Sequence, residues 1–557
     1  MASFRTTATV ILSALLSAAA AASAQSPTAN PDADVRLRFA DATPLPIPPL
    51  GDRSCPVERI TASTATAGAL QVDTIGIDAA GAVHPAELAR ETEALIGRSV
   101  DQGTLDRLAV RAECLYRQKG VLSARATVAP GASPGQWRLA VEEGRVRSVE
   151  AATGDQRLDD FLRRAFGQVK PGQPLRAEDL RRGQALAARN GVWSVSTRLS
   201  RDPSDPGAVT LVVEAPKPRT NVFVSAQNDA PESVGRWWAG ASVIGNGLTP
   251  LNEQTTLGVF HSLEGDGQRG VQLSSRALLS DSGLGGRVDL AWYEQRPDEK
   301  PPLADTVGTT RLARLELDYP FTASLDLLVV GRVGFEAVEQ EVTLLGGPKS
   351  SDDSVRIAYA GVRAERRDGD TTQTFDVSVR QGVELLGGSR RGDALLSRPE
   401  ADPEATVLRG EASFGTPLAG GRLQGTVRGQ YASEPLLAYE EFTFGGGPGG
   451  RGLDPGALYG DRGVAVTVEW IGPPRDLGRI DLSPLAFVEA AKAWNEDMAY
   501  GPREGHVVLG GAGLRFRIDE RTVIDVVYAH GFDFEGVDED RFGRRVLVTV
   551  RTSFPVR

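Results

Sequence analysis

Residues 442–463 read FTFGGGPGGRGLDPGALYGDRG and lie between two segments in which apolar and polar residues alternate. A glycine-dense loop of this length is flexible in water, because glycine has more backbone freedom to lose on ordering than any other residue. Surrounding walls are therefore needed to hold it. One arginine, Arg451, stands near its centre. A glycine-rich loop between alternating segments indicates the interior of a β-barrel.

Alternating segments recur from residue 218 to the end of the chain, where helical periodicity is absent. Leu315, Leu317 and Tyr319 alternate with Arg314, Glu316 and Asp318, so that one face suits lipid and the other suits water. Segments 325–338, 371–383, 464–470, 508–518 and 546–554 follow the same pattern. A tilted spanning strand needs roughly 9–11 residues. About 16 such antiparallel strands are expected, enough for an aqueous lumen.

The amino terminus predicts export. Residues 1–24 carry an early arginine, an apolar run and a small-residue cleavage site, the order of a secretory signal peptide. Residues 25–69 are rich in proline and predict an extended linker, with a possible short plug helix at 32–40. No later segment is apolar for long enough to span as a helix, so membrane insertion has to use strands.

Net charge and cysteine content limit the kinds of partner and compartment that the sequence allows. The 557 residues carry a net charge of −11, which argues against nucleic acid because phosphates would be repelled. The two cysteines, Cys55 and Cys114, are expected to form one disulfide in an oxidising compartment. Two free buried thiols are the alternative, since sequence does not give their separation.

Two small α+β modules are predicted ahead of the barrel, at 70–145 and 146–217. Each shows the order strand, helix, helix, strand, strand, with a spacing of roughly 75 residues between the copies. The first of the two closing strands is expected at 122–128 in the first copy and at 192–200 in the second. In the first copy, YRQKGV at 116–121 precedes a strand and VEEGRV at 141–146 closes the unit. These motifs resemble POTRA domains of polypeptide-transporting outer-membrane proteins. An extended client could add to a strand edge of such a module; a simple spacer is the alternative, since exposed edges are often blunted.

The loop carries a second resemblance. FGGG at 444–447, RGL at 451–453 and LYGDRG at 458–463 resemble the signature of the TpsB transporter family of two-partner secretion. The resemblance implies that the loop folds back into the barrel and that Arg451 meets a carboxylate in a Phe-x-Asp motif, here Phe487-Val488-Glu489. The pore-loop residues are then Gly445, Gly446, Arg451, Gly452, Leu453, Gly460 and Asp461, with Phe487 and Glu489 as strand partners.

This loop departs from the family pattern at Leu453, where an aromatic residue is usual, and at Glu489, where aspartate is usual. On the dyad of its strand, Glu489 shares a face with Leu485 and Phe487, which points it inward. A charge in a lumen of reduced dielectric is costly without a partner, so pairing with Arg451 is expected. The alternative is that Arg451 is a solvated loop residue and that Glu489 pairs with another lumen arginine.

Enzymatic chemistry is not expected. GASPG at 131–135 matches a nucleophile-elbow pattern, but it lies between two predicted strands rather than between a strand and a helix. The four histidines lack metal-ligand spacing, and the loop lacks the Gly-Lys-Ser/Thr ending of a phosphate loop. No catalytic residue, metal or cofactor is predicted.

The sequence thus predicts a bacterial outer-membrane transporter with two periplasmic POTRA domains and a barrel over 218–557. The resemblance implies that its partner is a TpsA-like exoprotein, an adhesin or haemolysin. Export of this partner is expected to take place in the unfolded state and without ATP. Outer-membrane lipids and the barrel assembly machinery are the other expected partners. Two alternatives remain: a factor that inserts other barrels into the membrane, and a passive pore or receptor.

Overall fold

The computed structural model describes residues 70–79, 81–202, 204–298, 306–344, 347–447, 449–496, 503–519, 521–537 and 543–556, without the side chains of residues 202 and 206. The predicted signal peptide, linker and plug helix, together with Cys55, lie outside the described residues.

The first module is a three-stranded sheet covered by two helices. Its elements are β1 (Leu70–Val72), β2 (Thr74–Ala79), α1 (Pro85–Thr92), β3 (Arg98–Val100), α2 (Gln102–Gln118), β4 (Arg125–Pro130) and β5 (Gln136–Glu142). Strand β5 is central, parallel to β2 and antiparallel to β4, while β1 pairs with β3. Asp101 caps the amino-terminal end of helix α2, where its carboxylate accepts the backbone N–H of Thr104 at 2.7 Å. Hydrogen bonds from Thr104 lower the pKa of Asp101.

The second module repeats this plan. It comprises β6 (Arg145–Ala151), α3 (Gln156–Ala165), α4 (Ala177–Arg189), β7 (Ser196–Asp202) and β8 (Asp205–Glu214), with the sheet order β6–β8–β7. Phe161, Phe166 and Leu186 are fully buried in its core. Asp155 caps α3, and its hydrogen bond from Lys217 lowers the pKa of Asp155.

Two strand starts differ from the sequence expectation. The strand expected from residue 122 begins at Arg125, because the residues before it join the modules: Leu122 N donates to Leu175 O at 2.9 Å. The strand expected from residue 192 begins at Ser196, because Val192 N still closes the end of α4 on Ala187 O at 3.0 Å. Local contacts of the chain with a neighbouring element thus replace ladder pairing at both places.

A closed antiparallel barrel follows. Its strands are β9 (Thr220–Gln227), β10 (Trp238–Asn246), β11 (Gln254–Ser262), β12 (Gln268–Leu278), β13 (Gly285–Gln295), β14 (Thr306–Ala323), β15 (Leu327–Leu344), β16 (Lys349–Asp368), β17 (Thr371–Gly382), β18 (Thr406–Leu418), β19 (Gly421–Ala432), β22 (Arg462–Ile471), β24 (Ile480–Trp494), β25 (Glu504–Ile518), β26 (Thr522–Glu535) and β27 (Arg545–Val556). Strand β27 pairs with β9 and closes the ring. The two-residue β23 (Arg475–Asp476) extends a turn beside β24. The predicted barrel of about sixteen strands is confirmed.

Alternation sorts the side chains of each strand. On β14, Leu315 is 56 % exposed on the outer surface, whereas Arg314 and Asp318 are buried on the inner side. Outer positions on neighbouring strands are also apolar, as at Val333 and Phe375. Such an outer band suits hydrocarbon, and the inner face is polar. Among the described residues, none of the helices has the length and apolarity needed to cross a membrane.

The second module docks on the barrel turns. Arginines on α3 and α4 donate to backbone carbonyls there: Arg157 to Gly247 at 2.9 Å and Arg182 to Ser282 at 2.8 Å. Asp318, buried at the end of the lumen, pairs with Arg189 of α4 at 2.6 Å and with Arg276 of the wall at 2.7 Å. These contacts fix which end of the barrel faces the modules.

Candidate functional site in the barrel lumen

The loop between β19 and β22 folds inward from the end of the barrel opposite the modules. Strands β20 (Phe442–Phe444) and β21 (Leu458–Gly460) pair with each other as a stem, and residues 445–447 and 449–457, which we call the tip, lie beyond it. The tip needs glycine where its two arms meet. Gly450 has φ +140°, and a Cβ there would lie 2.4 Å from Cα of Gly445. No side chain fits this crossing.

Glu489 holds the tip through the backbone. Its side chain projects from β24 into the lumen and is fully buried. One carboxylate oxygen accepts Gly449 N at 3.0 Å, and the other accepts Gly450 N at 2.7 Å and Arg451 N at 2.9 Å. Three successive N–H groups around one anion form a nest, in which charge-assisted hydrogen bonds compensate the buried charge.

Arg451 itself has two acidic neighbours. Its guanidinium donates to Glu469 on β22, and its Nε lies 3.7 Å from Oε1 of Glu489. The guanidinium also stacks 4.2 Å above the Phe487 ring. Glu469 faces Phe487 across the strand pair, and Thr467 faces Glu489. The structure therefore brings Arg451, Phe487 and Glu489 together.

The closest contacts of Glu489 and Arg451 differ from the expected direct ion pair between them. The closest contacts of Glu489 go to the loop backbone, and Glu469 takes the guanidinium. Sequence reasoning missed Glu469, although its strand was anticipated over 464–470. An acidic residue on the same face as Thr467 in that alternating strand was the available signal.

Leu453 anchors the tip by packing. It is fully buried in an apolar cluster on the inner face of β22 to β27, formed by Phe442, Phe444, Leu453, Leu458, Phe487, Leu509 and smaller neighbours. Gly452 lies beside the same wall, where a Cβ would meet Leu509 at 3.8 Å. Arg545 donates to Leu453 O at 3.0 Å and to the Asp454 carboxylate. An aliphatic side chain thus occupies the position at which the resemblance leads one to expect an aromatic.

Asp461 joins three segments at the base of the stem. It is fully buried and accepts Nη1 of Arg398 at 2.6 Å, Leu436 N at 2.8 Å and Glu496 N at 2.8 Å. Gly460 precedes it, and a Cβ there would lie 2.7 Å from Trp494 O. Arg398 belongs to the long loop 383–405 and was not anticipated, because nothing in that loop's sequence marks an inward direction.

A further stretch, residues 436–441, also lies against the wall; we call it the inner segment. Tyr439 donates to Glu336 at 2.6 Å, and Arg380 bridges Glu440 at 2.8 Å and Glu336 at 3.2 Å. Arg314 donates to the same Glu336 at 2.7 Å. Charged side chains from several strands therefore hold the inner segment.

The cysteines are partly described. Cys114 is buried in α2 and is disulfide-bonded, whereas Cys55 lies outside the described residues. The Cys55–Cys114 pairing stays a prediction.

Comparison with known proteins finds two regions of the chain that match family models. Residues 348–516 match the family model of the haemolysin secretion/activation proteins ShlB/FhaC/HecB, and residues 70–144 match the ShlB-type POTRA domain. Two separate regions of the chain are thus similar to the ShlB/FhaC/HecB proteins. These proteins are two-partner secretion transporters of the outer membrane. The matched segment 348–516 includes the tip, Arg398, Asp461, Glu469 and Glu489.

Individual proteins are also similar to the chain over most of its length. The chain is 23% identical over 474 residues to the hemolysin transporter protein ShlB of Serratia marcescens, covering 81% of this chain and 80% of that protein. The solved structure of CdiB from Escherichia coli matches with a TM-score of 0.68 at 16% identity, covering 96% of this chain and 99% of that one. BamA from Haemophilus ducreyi, lacking POTRA domains 1–3, matches with a TM-score of 0.54 at 12% identity, covering 87% of this chain and 100% of that one. The structural likenesses show a shared fold.

Proposed function

We propose that this chain captures an unfolded exoprotein in the periplasm and moves it to the cell surface through the barrel lumen without ATP. The observation that carries the proposal is the tip, which lies inside the lumen with the N–H groups of Gly449, Gly450 and Arg451 bound to one wall carboxylate. The proposed function requires that the end of the barrel that carries the second module faces the periplasm.

Capture is assigned to the sheet edges of the two modules. The order β2–β5–β4 leaves β2 and β4 at the edges of the first sheet, and the order β6–β8–β7 leaves β6 and β7 at the edges of the second. An extended polypeptide can add to such an edge through backbone hydrogen bonds, largely independently of its side chains. This mode suits a client that is still unfolded.

Passage then requires the tip to leave its site. The lumen wall is polar enough to hydrate a moving chain, since Glu316, Arg332 and Arg363 line a cavity there. Net movement draws on the exoprotein folding outside and failing to slip back, because the periplasm supplies no ATP. An exoprotein variant that cannot fold at the surface should therefore be exported more slowly.

The test is site-specific photocrosslinking in cells, with the crosslinking residue placed at edge positions of β4 and β7. Export predicts recovery of one unfolded secreted polypeptide, encoded beside this chain. Recovery of barrel precursors would instead indicate an insertion factor, and recovery of neither would indicate a passive pore. A crosslinking residue at buried Leu139 of β5 is the matched control, because a central strand offers no free edge.

A further inference from the structure

A second arginine lies beside the tip, on the wall rather than on the loop. Arg428 is on β19, where it is paired across the sheet with Glu411 of β18 and Ala465 of β22. Its Nη2 donates to Thr443 O at 3.2 Å, and its guanidinium lies 5.7 Å from each of the Phe442 and Phe444 rings. In the part of the chain that the structure describes, Arg428 takes part in no ion pair.

One residue of the tip separates Arg428 from Glu489. Gly449 donates its N–H to Glu489 at 3.0 Å, and a Cβ placed on Gly449 would lie 3.7 Å from Nη2 of Arg428 and 3.8 Å from Oγ1 of Thr467. The docked tip is therefore a spacer, one glycine thick, between a wall cation and a wall anion.

We propose that Arg428 is a positioning residue that binds the Glu489 carboxylate when the tip leaves its site. Arg451 and the tip backbone then compete with Arg428 for one carboxylate: the former stabilise the docked tip, and the latter stabilises the withdrawn tip. This inference rests on the proposed function, because it requires that the tip moves.

The geometry and the energetics agree with this exchange. Arg428 and Glu489 face the lumen from strands two apart, since Ala465 of β22 pairs with both Arg428 and Ala491. Strand spacing and rise put their Cα atoms roughly 12 Å apart, which the two long side chains span together. Withdrawal of the tip removes three donors from a buried carboxylate, and an uncompensated buried charge is costly. Arg428 gives up one long hydrogen bond to supply the missing partner.

The test measures tip withdrawal directly, independently of export. Thr467 lies beneath the tip, so a Thr467→Cys variant reacts with a membrane-impermeant thiol reagent when the tip is withdrawn. In that background we expect Arg451→Gln to raise the labelling rate about tenfold and Arg428→Gln to lower it about tenfold, the change that roughly 1.4 kcal/mol produces in an equilibrium constant. Arg428→Lys keeps the charge and should restore most of the parent rate.

Two controls separate this role from a general structural one. Arg422, on the same strand and face, donates to Asp370 O at 3.0 Å and to Oγ1 of Thr372 at 2.9 Å, far from the tip; Arg422→Gln should leave labelling unchanged. In a Glu489→Gln background, Arg428→Gln should have no further effect, because the carboxylate they share is gone.

The outcomes are distinct for the two proposals. A labelling rate that rises or stays constant in Arg428→Gln, while Arg451→Gln labels faster, overturns the role of Arg428 and leaves tip movement intact. Absence of labelling in every variant, Arg451→Gln included, overturns both, since no withdrawn state then exists for Arg428 to stabilise.

Discussion

The tip and the inner segment belong to the same inward-folded loop, yet they are held in different ways. The tip is bound through three backbone N–H groups to one carboxylate, Glu489. The inner segment is bound through side chains, among them Tyr439 and Glu440, to charges on β15 and β17. The backbone donors of the tip converge on Glu489, with Glu469, Arg545 and the packing of Leu453 as further contacts, whereas the contacts of the inner segment are spread over several strands.

Under the proposed function, this difference assigns release to the tip. Three backbone contacts of the tip converge on one carboxylate, so loss of that carboxylate, or competition for it, weakens all three at once. Groups in a shared network couple with one another, so the loss of one partner is partly compensated by the rest. In the proposed mechanism the tip is therefore the part that moves and the inner segment the part that stays, with Asp461 between them.

The largest effect is expected at Asp461, because both regions depend on it. Asp461→Ala leaves Arg398 with Glu441 as its carboxylate partner and strands the N–H groups of Leu436 and Glu496. We expect a loss of about 3–5 kcal/mol in the free energy of unfolding, the usual consequence of breaking a buried pair. Urea unfolding in lipid vesicles measures it, with Asp368→Ala as the matched control on an exposed turn. Equal stability of the two variants would show that Asp461 does not join the regions.

The Glu489→Gln substitution should release the tip and leave the inner segment in place. The amide keeps one acceptor oxygen and loses the charge, so the tip loses charge-assisted hydrogen bonds worth about 1.5–3 kcal/mol each. We expect a thiol at position 453, introduced as Leu453→Cys, to become reactive in this variant. A thiol at position 437, introduced as Leu437→Cys in the inner segment, should stay protected. Reactivity of both thiols would mean that the two regions move as one.

Much of this arrangement could be predicted from the sequence. Strand alternation is a local property, so the inward direction of Glu489 and the outward direction of Val488 follow from the dyad alone. Phe487 and Arg451 were placed by the resemblance of the loop motif, which fixes which strand the tip meets. The barrel closure follows from strand number and the need to pair every edge.

The rest depends on which strands become neighbours across the lumen. Arg398 lies in loop 383–405, 63 residues before Asp461, and no local pattern connects them. Glu336 and Tyr439 are 103 residues apart and meet because the inner segment crosses the lumen to β15. Glu469 was within reach of sequence reasoning, but the preference of Glu489 for backbone donors was not, because it depends on the glycine crossing of the tip.

Arg451→Lys tests whether the tip needs the guanidinium as well as the charge. Lysine keeps the positive charge near Glu469, but it loses the planar fork and the stack over Phe487. The three backbone donors to Glu489 remain, so we expect a modest loosening of about 1–2 kcal/mol, of the order of a desolvated cation–π contact. The open probability of single channels in planar bilayers should rise several-fold. An unchanged open probability would assign the whole attachment to the backbone nest.

Tyr439→Phe should have the smallest effect, and it tests the redundancy of the inner segment. The substitution removes the hydroxyl that donates to Glu336, while Arg314 and Arg380 still satisfy that carboxylate. A single hydrogen bond contributes about 0.5–1.5 kcal/mol, and here the remaining partners limit the loss. We expect unfolding to shift by no more than that amount and the thiol at position 453 to stay protected. If Tyr439→Phe instead released the tip as fully as Glu489→Gln does, the inner segment would be the latch of the tip rather than its fixed neighbour.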